Sequence, residues 1–470
     1  MISLMTKCLK NCRVKFQQTV PNRCLHPKVL FLRPDPTEVP KITNVDVVDF
    51  FGYRAEFQSD FESIVQERMK MLELMPKAQD ELPPRTMKDS LVTAIIPLSS
   101  NRELRDRYLA ASGQLRAGRL LEDTDIFAVY AAYNQLKNPK SEAAGAKVPH
   151  VVVTGCIDTI QLTPDLIKST EDIRMSAHVS YVGKTSLEVC LSVDQKRGNA
   201  FSETIFEAIF VLVAKDAIGL GPGIVNPLIA ETTEEKAYID QAKERQSRRK
   251  FDAQESLTRR PPNELERQLI HNKFLERTKQ GFTRGLSTNQ KLMGDTKSST
   301  IFICHPMFRN HFRKVFGGFI MRQAFELAYM NSFIYARQRP YVIAIDDIVF
   351  LQPVEIGSFL RFRSCIGFVK NNIIHTPVFA EIIDPASGEV SVSNEFNFTF
   401  RTNDPSISVP DLTFDTYADI EGGFSLIFYE GMCTSIFVSL SFLFFATTTT
   451  LFLTDSIPGH PSHSCLPDKE

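Results

Sequence analysis

FGGFIMRQAFELAYMNSFIYA, from Phe316 to Ala336, opens on two glycines and then stays apolar around almost its whole circumference. At helical spacing such a run must be buried on most sides. One curved antiparallel sheet wrapped around the helix achieves that burial. A second run of the same kind, AGRLLEDTDIFAVYAAYN, lies upstream from Ala117 to Asn134. Working outward from each helix, the same order recurs. A strand-like run ending in or near proline precedes it: SLVTAIIPL (Ser90 to Leu98) and STIFICHP (Ser299 to Pro306). Alternating strands with a glycine turn follow: SAHVSYVGKTSLEVCLSV (Ser176 to Val193) and DDIVFLQPVEIGSFLRFRSCIGFV (Asp346 to Val369). Each copy closes on an apolar strand running out to aspartate, Glu203 to Asp216 and Ser391 to Asp404. The expected fold is α+β: two tandem domains, each a curved antiparallel sheet wrapped around a long central helix.

The 470 residues divide accordingly into 1–43 as a leader, 44–89 as a helical extension, 90–228 and 299–405 as the two domains, 229–298 as a charged helical linker and 406–470 as a divergent tail. Pro261 and Pro262 break the linker. The first domain carries a longer insertion, around Lys137 to Asp172, expected as a loop over the site. Lys plus Arg (54) nearly balances Asp plus Glu (55), so no global basic field points to nucleic acid. The 9 cysteines form no CxxC pair, which argues against zinc and against a disulfide framework; Cys156, Cys190, Cys304 and Cys365 read as core thiols. From Met1 to Pro34 there is no acidic residue, while Lys7, Lys10, Arg13, Lys15, Arg23, Lys28 and Arg33 punctuate apolar positions. That pattern is expected of a mitochondrial transit peptide. The apolar segment 432–454 in the tail is long enough to cross a bilayer but lacks a basic flank, so membrane contact is expected only if it is a genuine anchor.

Five ordered segments carry a resemblance: HPMFRNHFRKVFGGFIMRQAFELA (His305 to Ala328), AIDDIVFLQPVEIGSFLRF (Ala344 to Phe362), LVTAIIPLSSNRELRDRYL, GRLLEDTD and SAHVSYVGKTSLEV. Over roughly Asn44 to Asp419 the chain resembles the double-hotdog acyl-CoA thioesterases. The resemblance implies hydrolysis of acyl-CoA, with the coenzyme A thioester as substrate and no metal or redox cofactor. It implies a site at the seam between the two hotdog units, assembly of several copies into a homo-oligomer, and a mitochondrial, matrix location. The family places an asparagine shortly before the paired glycines, whereas this chain has His311, Phe312, Arg313 and Lys314 there, making Arg313 a secondary site candidate.

Thioester hydrolysis needs a base to activate water and donors facing the carbonyl oxygen as it gains charge. Gly317 and Gly318 permit close backbone approach at a helix N-terminus, so the Gly318 and Phe319 amides are the expected oxyanion donors. Glu326, in an apolar stretch at a position where the family carries an acid, is expected as general base; its structural alternative is an ion pair with Arg322. In the first repeat Glu122, Asp123 and Asp125 compete for the same role, with Asp125 closest in register. Asp346 and Asp347 open a strand, and alternation turns one of them inward. His178 and Asn394 read as satisfied strand positions. Arg119, Lys184, Arg322, Arg361 and Arg363 are candidates for the coenzyme A phosphates. A serine-hydrolase reading lacks its GxSxG, and GLGPG (Gly219 to Gly223) reads as a turn. The rivals are an inactive acyl-CoA binder or assembly protein and a hotdog dehydratase; release of free thiol separates hydrolysis from both.

Overall fold

The computed structural model describes residues 32–50, 66–255 apart from 67, 159 and 163–166, scattered positions of 264–275, 289–308, 314–404 apart from 347, and 406–416 apart from 415. Most of the leader, Pro261 and Pro262, Arg313, Asp347 and the 432–454 segment therefore lie outside the described residues.

The helices are α1 (Asn44–Phe50), α2 (Arg102–Tyr108), α3 (Ala117–Gln135), α4 (Pro139–Ala143), α5 (Thr233–Glu255) and α6 (Gly317–Ala336). The strands of the first half are β1 (Val92–Ile96), β2 (Val151–Ile157), β3 (Ile160–Leu162), β4 (Ile173–Val182), β5 (Ser186–Arg197) and β6 (Ala200–Lys215). After a short β7 (Gln290–Leu292), the second half has β8 (Ser298–Ile303), β9 (Pro340–Ile345), β10 (Ile348–Phe350), β11 (Phe359–Ser364), β12 (Phe368–Lys370), β13 (Ile373–Ile383) and β14 (Val390–Thr402). A last strand, β15 (Asp411–Thr413), pairs with β7.

Each half wraps its own helix, as the alternation requires. On β5, Leu187, Val189, Leu191 and Val193 are fully buried in the core, and on β14 Phe396, Phe398 and Phe400 are likewise buried. The halves do not remain separate sheets. β2 pairs antiparallel with β10 (Ile157 opposite Ile348) and β3 pairs with β9 (Ile160 opposite Ile345), joining the strands of both halves other than β7 and β15 into one 13-stranded sheet. Most buried apolar side chains of both halves form one cluster, because α3 and α6 lie against each other inside the continuous sheet, and a small second cluster gathers around Tyr335, Ile366 and Ile374. The segment read as an insertion at Lys137 to Asp172 is thus not a loop over the site. It holds α4, β2 and β3, and its β-branched run VVVTGCI supplies one of the joining strands.

The outer face of the first half is covered as well. From the linker, α5 sets Arg245 on Glu188 of β5. Ahead of α1, Phe201 N–H donates to Pro36 O at 2.7 Å, Ile95 N–H to Ile42 O at 2.9 Å, and the buried Arg174 donates to Asp35 O at 2.7 Å. Residues 35–42, in the stretch expected as leader, thus hydrogen-bond to the first half. On the second half, by contrast, Ile301, Ile303, Val349, Val390 and Val392 stand exposed on the outer face.

The two central helices run antiparallel and cross where side chains are smallest. A Cβ on Gly118 would stand 3.0 Å from the Phe325 ring, and one on Gly318 would stand 2.7 Å from the Glu122 carbonyl oxygen and 3.0 Å from Asp125 Cβ. Backbone cannot yield as a flexible side chain can, so the helices would have to separate. Gly318→Ala is expected to destabilise the fold by roughly 1–3 kcal/mol, the usual cost of overpacking, as measured by the denaturant midpoint at unchanged slope.

Candidate functional site

The helix crossing brings Asp125 of α3 to the N-terminus of α6. Asp125 is 2 % exposed. Its Oδ2 accepts the Gly318 N–H at 2.7 Å, and its Oδ1 accepts the Thr154 hydroxyl of β2 at 2.7 Å. Both oxygens are held, one by each half of the seam. Thr154 turns inward beside a bulge, since the β2–β6 register shifts between Thr154 and Cys156 with Gly155 in the gap. The Phe350 ring closes one side, 2.9 Å from where a Gly317 Cβ would stand, and Asp125 Oδ2 is 3.4 Å from that same point. Only glycine at 317 leaves room for both.

Burial pushes the Asp125 carboxyl above its ordinary value; the Thr154 and Gly318 donors pull it down and the charge on Glu122 pushes it up again, with a net rise. A carboxylate kept short of solvent, yet anchored by two donors, is a stronger proton acceptor than an exposed aspartate.

The other sequence candidates fall into different places. Glu326 is 34 % exposed and takes Arg116 Nε at 2.8 Å, so its partner is Arg116 and not Arg322. Arg322 instead meets Glu122 at 3.0 Å across the helix crossing. Asp123 is fully buried under Arg119 (3.0 Å) and the Tyr108 hydroxyl, and burial raises its carboxyl to about 6. Gly318 N–H, expected as an oxyanion donor, is engaged by Asp125. Phe319 lies buried in the same helical turn with the Arg322 guanidinium over its ring. Asp346 is buried at the end of β9, its N–H donating to Asn397 O at 2.9 Å. Of the five phosphate candidates, Arg119 and Arg322 lie at the seam but are paired to Glu122. Arg361 and Arg363 both hold Glu381 on the strands of the second half, and Lys184 is exposed at the β4–β5 turn. His178 and Asn394 are buried in strands, and Asn394 donates to Val349 O at 3.1 Å. Cys190 and Cys304 are buried; Cys156 and Cys365 are half-buried.

The internal repeat makes a second seam position, and it has different chemistry. With Gly118 matched to Gly318, Asp125 corresponds to Phe325, which packs edge-on against Phe398. β9 carries the same bulge as β2, a shift between Thr399 and Phe400, and this register puts Val342 where β2 has Thr154. Acid and hydroxyl are replaced together by apolar side chains. By the same register Asp346 corresponds to Asp158. Glu326 misses the acid position by one residue, which on a helix is a rotation of about 100°.

Two helix-wrapping units fused in one chain, with a carboxylate buried at one seam, define a double-hotdog protein. No protein-family model matches the chain. It is 38% identical over 347 residues to human "Acyl-coenzyme A thioesterase 9, mitochondrial", covering 73% of this chain and 78% of that protein. With mouse "Acyl-coenzyme A thioesterase 10, mitochondrial" it shares 35% over 376 residues, 79% of this chain and 83% of that one. Among solved structures, a putative oleoyl thioesterase from Lactobacillus plantarum aligns with a TM-score of 0.40 at 10% identity, over 67% of this chain and 97% of that one. The chain belongs to the acyl-coenzyme A thioesterase family.

Titration of Asp125, followed by its side-chain carboxyl carbon in NMR, should give a value above the 3.8 of an ordinary aspartate. Thr154→Val removes a donor to the carboxylate, so the value should move further up.

Proposed function

We propose that this acyl-coenzyme A thioesterase hydrolyses its substrate at one site per chain, with Asp125 as general base. The observation that carries the reading is the double anchoring of a buried carboxylate by Thr154 and Gly318. Asp125 takes a proton from water as the oxygen attacks the thioester carbonyl carbon. The carbonyl oxygen gains negative charge facing the first turn of α6, Gly317 to Phe319, where the positive end of the helix dipole favours it. The tetrahedral intermediate then expels the coenzyme A thiolate, which receives the proton from Asp125, leaving free acid and free thiol. Water, a base and donors suffice for this sequence, with coenzyme A entering as part of the substrate. Within this reading Glu326 is a structural ion-pair partner of Arg116, and Arg119 and Arg322 are the cations placed to meet the substrate's phosphates by exchanging their hold on Glu122.

The location that fits is the mitochondrion, as in the names of the human and mouse relatives, and within it the matrix, to which a basic, acid-free leader directs a chain. The exposed apolar side chains on the outer face of the second half suit contact with another copy, giving a homo-oligomer of double-hotdog subunits.

Thiol release from a panel of acyl-CoAs tests the mechanism. Asp125→Asn should lower kcat by about 10²- to 10⁴-fold, the range for losing a general base, whereas Glu326→Gln should stay within a few-fold of wild type. If the apolar seam also hydrolysed substrate, Asp125→Asn would instead retain about half of the activity. Consumption of an enoyl substrate without thiol would point to a dehydratase, and binding without release on any chain length to an inactive binder.

A further inference from the structure

Behind the acid-bearing seam, the linker helix α5 meets the sheet through charge. Arg249 Nη1 lies 2.9 and 2.8 Å from the two carboxylate oxygens of Asp158, and its Nη2 lies 2.8 Å from Glu188 Oε2. Asp158 directly follows β2, on the strand that carries Thr154, and Glu188 is on β5. Arg245, one helical turn earlier on the same face of α5, takes the other Glu188 oxygen, and both of these side chains are almost fully buried. Burial alone would push the Glu188 carboxyl up, but the two guanidinium groups bring it below its ordinary value, so it stays ionised.

α5 also packs against the sheet, with Ala242 fully buried. Beside these ion pairs lies a cleft of about 230 Å³, bordered by Cys156, Tyr181, Val211, Gln246 and the Arg249 side chain itself. Cys156, two positions after Thr154, lines this cleft. On the inner side of the same strand, the bulge at Gly155 makes the phase of Thr154 sensitive to any slip of β2. Gly155 has little room to absorb such a slip, since a Cβ there would already be 3.3 Å from Val213 Cγ2.

We infer that Arg249 is a positioning residue for hydrolysis: from the outer face it holds Asp158, and through it β2, in the phase that sets the Thr154 hydroxyl on Asp125. The inference rests on Asp125 acting as the base. It gives the linker a role in the reaction beyond joining two repeats, because the helix between the domains clamps the strand that orients the base in the first.

A double-mutant cycle on the full chain tests it, with kcat and KM read by thiol release and folding checked by thermal melting. Thr154→Val should lower kcat about tenfold, as expected for a lost hydrogen bond to a charged group. Arg249→Met should lower kcat by a similar factor with KM within about twofold, and Arg249→Lys should restore part of it, since one charged donor returns. The Thr154→Val, Arg249→Met pair should be no slower than Thr154→Val alone, because the second change acts through the first. Multiplying effects in the pair, or an unchanged kcat in Arg249→Met, would overturn the inference. If Arg249→Met does not fold, Asp158→Asn replaces it in the cycle with the same expectations. Asp125→Asn run in parallel keeps the two readings apart: full activity there would sink the base assignment, while the cycle still reports whether Arg249 and Thr154 act as one unit.

Discussion

The contact between Asp125 and the Gly318 amide is the constraint around which the rest is arranged. A carboxylate can be buried only where donors replace water, and the first turn of a helix is a ready source of them. To reach that turn, α3 must approach α6 more closely than side chains allow, which is why glycine stands at 118, 317 and 318. The close crossing draws both helices into one shared core, and the shared core requires the two sheets to join through β2 with β10 and β3 with β9.

Fusion of the two repeats into one chain lets the two seams diverge. A symmetric pair of identical subunits would carry the same residues at both. Here one seam keeps Asp125 and Thr154, while the equivalent positions are Phe325 and Val342 inside an aromatic cluster. Losing both polar members together is the physically consistent outcome, since a threonine hydroxyl or an aspartate left alone in that cluster would be a buried group without a partner. At the pseudo-twofold axis the same divergence is productive: Glu122 and Arg322 occupy matching positions and pair with each other.

The repeated order of strand, glycine-started helix and alternating strands was legible because hydrophobic periodicity is a local property of the chain. So was the candidacy of Asp125, a carboxylate in a helix too apolar to leave exposed. Thr154 was not legible. It sits in a short β-branched run in the middle of what reads as an insertion, and the signal that could have found it, a lone hydroxyl before a glycine in VVVTGCI, has meaning only once a bulge turns it inward. The partner of Glu326 was not legible for a related reason. A helix periodicity judged by eye tolerates a residue of slack, but that residue rotates Glu326 away from the position held by Phe325 and into reach of Arg116, the residue that precedes α3.

By itself, then, the sequence determined two helix-wrapping units, their order and the kind of chemistry a buried carboxylate at a helix start can serve, because burial and periodicity are written residue by residue. Which carboxylate meets which amide, that Phe325 stands where the other seam has Asp125, and that the linker helix grips the back of β2 through Arg249 were decided by the tertiary structure alone. Those are relations between residues far apart in the chain. Their partners are chosen by how closely two helices can cross and by the register of the strands behind them.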